Sequence, residues 1–186
     1  MNLPIRAEDS DHVEPRPKTQ RLNGKKVWLL AVTPGLPSDH RTFLWRMLHD
    51  LLPCQERLFR LKMPNAHSNL CTLCDLNEIG NLTHCLIVCP YNNGVGHFLL
   101  DVLHRHIPHL LPQQVVLLDP DADEAHQLPL VYLLASLLSQ VWSCRKEKRP
   151  CHLGSIRAAL EAGINIMRNS RYKEAAKTLS NILNIA

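Results

Sequence analysis

A small, mainly α-helical domain built around a zinc knuckle of the Cys-Cys-His-Cys type is what this sequence predicts, and three observations carry that expectation. Glycine is scarce, at 7 of 186 residues, while leucine, alanine and other helix-tolerant residues dominate from Thr42 onward. Apolar residues in that stretch recur at spacings of three and four, the helical period. Two cysteines, a histidine and a further cysteine lie within a short segment at spacings that suit one metal ion.

A composition of 45% apolar and 20% charged residues is that of one soluble domain with a real core. Arg6, Glu8, Asp9 and Asp11 stand where a secretory peptide needs an apolar run, which predicts a chain kept inside the cell, in nucleus or cytoplasm. Seven cysteines are an odd count for that compartment and point to metal ligation plus buried thiols, not to disulfides. The most apolar stretch, residues 128–144, is broken by Pro129, Ser136, Ser139 and Gln140 and is shorter than the roughly 20 residues a bilayer span needs. It reads as a buried helix, with no membrane partner.

Residues 1–38 carry Pro4, Pro15, Pro17, Pro34 and Pro37 without sustained apolar periodicity, so a flexible, disordered leader is expected there. Within it, Val27, Trp28, Leu29, Leu30, Ala31 and Val32 form a short run fit for a strand or for packing on the first helix. Residues 39–186 are expected to form the helical domain. Ser38 or Asp39 caps a helix with Phe43, Leu44, Met47, Leu48, Leu51 and Leu52 inward, and Pro53 ends it. A short helix runs from Gln55 to about Lys62. Phe98, Leu99, Val102, Leu103, His106 and Ile107 mark another, closed by Pro108, after turn chemistry at Asn92, Asn93 and Gly94. Residues 112–123 read as irregular and acidic. Helices over about 127–146, 152–168 and 171–184 follow, the last two separated by the capping pair Asn169 and Ser170.

Zinc takes four tetrahedral ligands from thiolate and imidazole, and a Cys-x2-Cys turn sets two sulfurs on one side of the ion. Cys71 and Cys74 make such a turn; His84 follows nine residues on, then Cys89 and Pro90. The predicted zinc segment is therefore 71–89, with zinc as cofactor. Cys85 keeps a second set open: on a regular helix Cys85 and Cys89 share a face, whereas His84 and Cys89 diverge by about 140°. Pro90 stops the helix, and an unwound last turn would bring His84 in.

Trp45 to Leu58, the Cys71 and Cys74 pair, and the run from Asn81 through His84 and Cys89 to Pro90 resemble the zinc-binding region after the polymerase in reverse transcriptases of non-LTR (LINE-type) retrotransposons. The likeness extends more loosely through Trp142 and Arg157 to about residue 180. It implies that His84 and Cys89 are ligands, that Cys85 occupies an apolar position, and that the module touches element RNA or target DNA.

Charge is unevenly placed. From Arg145 to the end there are nine Lys or Arg against three Glu, while residues 27–144 hold six basic and ten acidic groups. This basic helical tail, 145–186, makes Arg145, Lys146, Lys148, Arg149, Arg157, Arg168 and Arg171 the candidate phosphate contacts.

Catalytic patterns are missing from the sequence. No Asp-Asp pair is present for a polymerase's divalent ions, and Gly94 and Gly96 do not make a phosphate loop. The combined His-x-Glu and Pro-Cys-x2-Cys pattern of zinc deaminases is lacking, since no proline precedes Cys71, and Asp119, Asp121 and Asp123 are followed by Glu124 where a calcium loop needs glycine. His104, His106 and His109 read as helix-end residues. The expected function is thus a nucleic-acid-binding zinc module without catalysis or a small-molecule substrate. The rival expectations are a zinc-held protein-interaction module and a relic retroelement fragment.

Overall fold

The computed structural model describes residues 36–105, 111–117 and 124–184. Most of the leader, with the run at residues 27–32, lies outside them, as do His106, Ile107, Pro108, His109 and the aspartates at 119, 121 and 123. The described chain is helical: α1 (Ser38–Leu48), α2 (Gln55–Arg60), a π-helical turn (His84–Val88), a 3-10 turn (Pro90–Asn92), α3 (Val95–His104), α4 (Pro112–Leu117), α5 (Glu124–Lys146), α6 (Leu153–Arg168) and α7 (Lys173–Leu183). One isolated antiparallel bridge, Leu70 to Ile79, is the extended pairing among these residues. No helix among them is long and apolar enough to cross a membrane.

α5 is the axis of the fold. Leu130, Val131, Leu133, Leu134, Ala135, Leu137 and Leu138 are all buried, so over residues 130–138 this helix is apolar around its circumference and covered on all sides. α1, α3, α6, α7 and the π-helical turn pack on it. Each fully buried leucine contributes about 1.5–3 kcal/mol, so the single core of α5 and its partners carries most of the stability. α6 comes close because Gly163 faces the Tyr132 hydroxyl, which a Cβ at that position would overlap.

Expectations about several elements are corrected. α1 starts from Pro37 without a side-chain cap: Ser38 Oγ donates to Asp39 Oδ1 and accepts no N–H of the helix backbone. Residues 112–117, expected to be irregular, form α4, with Pro112 at the first helical position where its missing N–H is no loss. α5 begins at Glu124 and so contains Pro129, whereas a start near 127 would have put that proline in the first turn. The break falls at Asn169 and Ser170 as expected, but α7 starts later, from Tyr172 without a side-chain cap; Ser170 Oγ donates to Met167 O at 2.8 Å and accepts from Tyr172 N at 3.1 Å.

Candidate metal centre

Two pieces of backbone deliver the cysteines and histidine. The first is a narrow loop from 69 to 80, closed by Cys71 N–H to Glu78 O at 2.8 Å and Gly80 N–H to Asn69 O at 2.8 Å. Gly80 permits the closure: a Cβ there would lie 2.8 Å from Gln55 Cβ and 3.2 Å from Cys71 Cα. The start of α2 anchors the loop, through Gln55 Nε2 to Ser68 O at 3.0 Å and Glu56 N–H to Gly80 O at 3.2 Å.

The second piece is the π-helical turn. Asn81 Oδ1 accepts the His84 N–H at 2.8 Å, which starts the turn, and Cys89 N–H reaches His84 O at 2.8 Å. That bond spans five residues instead of four. The wider turn brings residues five apart toward one face, so it reduces the divergence of about 140° that a regular helix would impose on His84 and Cys89. Cys89 then leaves in an extended conformation ahead of Pro90.

The Sγ atoms of Cys71, Cys74 and Cys89 and one ring nitrogen of His84 lie within 4.8 Å of one another. Cys71 Sγ is 3.9 Å from Cys89 Sγ, and Cys74 Sγ is 3.3 Å from His84 Nε2. Tetrahedral zinc with its usual bond lengths would set two sulfurs about 3.8 Å apart and a sulfur and a nitrogen about 3.5 Å apart. The donor set and its spacing therefore suit a metal ion of that size, and all seven cysteines are free of disulfides. Cys85, the other candidate, stands outside the group.

The thiols are not equivalent. Burial pushes the Cys71 thiol up, but the Leu73 N–H, the Arg145 guanidinium and the His84 ring outweigh it and bring it to about 6. Cys74 is pushed up to about 11, by burial and by the neighbouring sulfurs of Cys71 and Cys89. Cys85 is pushed up to about 12 by burial, against the pull of Arg145, and is a neutral thiol at ordinary pH.

The candidate phosphate contacts differ in their surroundings. Arg145 is the clearest departure from expectation: it is buried, 8% exposed, with its guanidinium turned into the protein against Cys71 and Cys85. The sequence count registers its charge but not its position on the inner side of the last turn of α5. Arg149 is ion-paired with Glu147. Arg157 lies over the Phe98 ring at 4.9 Å, and Arg171 over Tyr172 at 5.0 Å. Arg168 bridges α6 and α7, donating to Ser180 Oγ at 2.9 Å. Lys146 and Lys148 are exposed and border a cleft of about 170 Å³ shared with Thr72, Leu73, Trp142 and the Cys71 side of the centre.

Sequence reading also missed Asn81 and Asn92. Asn81 sits three residues ahead of His84, the spacing of a capping side chain, so a signal was present. Asn92 was assigned only to a turn; it is 1% exposed and donates to Cys85 O at 2.9 Å, a role with no local signature.

A metal-binding knuckle carried on a helical bundle is the class that fold and site define. Residues 12–95 match the family described as zinc-binding in reverse transcriptase, which bears out the resemblance for the segment that holds the cluster. The match covers just under half of the chain, and residues 96–186 lie beyond it. No curated protein and no solved structure gives a significant match.

Proposed function

We propose that residues 39–186 form one zinc-held, non-catalytic module that binds single-stranded nucleic acid beside its metal centre, as an accessory of the reverse-transcriptase type. Cys71, Cys74, His84 and Cys89 are the ligands in this reading, and zinc is the metal that a three-thiolate, one-imidazole set favours. The observation that carries it is the cleft next to the Cys71 loop. Trp142 supplies an aromatic ring there and Lys146 and Lys148 two cations at its edge. A base that stacks while its phosphates meet ammonium groups needs that combination. The free cysteines suit the reducing interior of the cell.

The purified chain is expected to hold one zinc, and metal should leave as the pH is lowered toward about 5, because protons compete for thiolates. At neutral pH zinc binding should release protons into a weakly buffered solution, that of Cys74 among them, since its metal-free thiol lies near 11. Binding to random RNA and single-stranded DNA should weaken steeply with salt. Changing Lys146, Lys148 and Arg149 together to Gln should lower affinity for all sequences and flatten that salt dependence, with zinc content unchanged. Equal binding by parent and triple variant, or none by the parent at low salt, would replace this reading. The alternative is a protein-interaction module, favoured by the exposed apolar residues Phe59, Leu61 and Met63 ahead of the Cys71 loop in sequence and Leu76 and Ile79 within it.

A further inference from the structure

Arg145 has an environment that phosphate binding does not explain. Its NH2 group donates to Cys71 Sγ at 3.3 Å and to Cys85 Sγ at 3.4 Å, and its NH1 group to Asn92 Oδ1 at 3.4 Å. Asn92 is itself fixed by the Cys85 carbonyl. The fork of the guanidinium is thus spread over three acceptors, none of them a carboxylate. Among the residues whose burial is described, no Asp or Glu is buried. A guanidinium stays protonated in proteins, and a buried cation needs a negative partner nearby. The sulfurs of Cys71 and Cys89 are the candidates beside it. Three thiolates and one dication sum to a single negative charge, and a buried centre of that charge needs a positive neighbour in turn.

We propose that Arg145 is the counter-charge of the metal centre and, through it, the latch that holds the helical bundle on the knuckle when metal is bound. This rests on the zinc reading of the four ligands. Arg145 is a positioning residue, not a ligand: it neutralises the site, fixes the Cys71 sulfur, and joins segments 74 residues apart in sequence. Three further hydrogen bonds hold this corner of the fold together. Lys148 N–H bonds to Arg145 O at 3.1 Å and Arg149 N–H to Cys144 O at 3.0 Å, a Schellman-type end to α5 with Lys148 in the left-handed region at φ 53°. Asn93 Nδ2 donates to Cys151 O at 3.1 Å, tying the next loop to the same turn. Metal binding at residues 71–89 is then felt in α5 and in the chain from 142 to 151.

The test is zinc affinity by competition with a chromophoric chelator at neutral pH, for the full chain and for Arg145→Gln and Arg145→Lys. Arg145→Gln, which keeps a donor but loses the charge, should bind zinc about 10–100-fold more weakly, the range for outer-shell partners of a metal site. Arg145→Lys should fall between, because one ammonium restores the charge but not the fork. The deficit should persist at high salt, since a buried pair is poorly screened. A merely structural arginine would not give that order. A second measurement on the unaltered chain does not depend on the variants folding: stripping zinc should raise hydrogen exchange at residues 142–151 as well as at 71–89. Parent-like zinc affinity in Arg145→Gln, or exchange at 142–151 indifferent to zinc, overturns the latch while leaving the ligand reading intact. A parent chain that binds no zinc overturns both.

Discussion

Cys74→Ser should leave the purified protein with less than about half an equivalent of zinc and should loosen residues 65–95. Cys74 is one of the four proposed ligands and its Sγ lies 3.3 Å from His84 Nε2, so its loss would open the tetrahedron. The free energy of structural zinc binding is about 10–16 kcal/mol at neutral pH, as large as the whole stability of a domain, about 5–15 kcal/mol. Little else holds that segment: between Leu70 and Gly80 it has one bridge and a few backbone bonds, and Leu76 and Ile79 are exposed. The bundle around α5 has its own core and should keep its helices, so circular dichroism changes modestly while exchange rises sharply around the knuckle. Cys85→Ala is the matched control. Its sulfur lies outside the ligand group, and its removal should retain zinc and cost about 1 kcal/mol, the size of an ordinary truncation. Zinc lost by Cys85→Ala and kept by His84→Ala would establish the four-cysteine set instead.

What the sequence made legible follows from how local each signal is. The helices were readable because burial on one face imposes a period of about 3.6 residues, and α1, α3, α6 and α7 obey it. α5 was readable by a different route, as an apolar run too interrupted for a membrane. The clustering of Cys71, Cys74, His84 and Cys89 was readable because zinc sites are built from short spacings, and Pro90 already marked where the helix had to give way. Long-range facts were not readable. Nothing near Arg145 says that it points toward a sulfur 74 residues away, and a tally of tail charges treats it like its exposed neighbours. The remaining tail arginines show the same limit: Arg149, Arg157, Arg168 and Arg171 have specific partners that only the packing of α5, α6 and α7 creates. α4 was missed although Pro112 at a helix start was available, because no apolar period over so few residues is long enough to show.

Gly96→Ala and Gly154→Ala should move stability in opposite directions although both replace the second residue of a helix. Propensity alone favours alanine at each by up to about 1 kcal/mol. At Gly154 in α6 a Cβ meets nothing within 4 Å, so that gain should appear as a small rise in melting temperature. At Gly96 in α3 a Cβ would overlap Ile87 O and stand 2.6 Å from its carbonyl carbon and 2.7 Å from its Cα. All three atoms are backbone, and they belong to the π-helical turn whose shape sets His84 and Cys89 on one face. A side chain could rotate away; this backbone can move only by breaking the turn or by lifting α3 off it. Overpacking of a yielding core costs about 1–3 kcal/mol, and a backbone that cannot yield places Gly96→Ala at or above the top of that range. The clash therefore wins over propensity by about 2 kcal/mol or more. For a chain of this size about 2–4 °C of melting temperature accompanies each kcal/mol, so thermal unfolding should fall by several degrees or more. Zinc affinity should drop with it, because the same displacement separates two of the proposed ligands. A Gly96→Ala protein as stable as its Gly154→Ala counterpart, with undiminished zinc binding, would mean that α3 does not press on the metal-bearing turn as the structure has it.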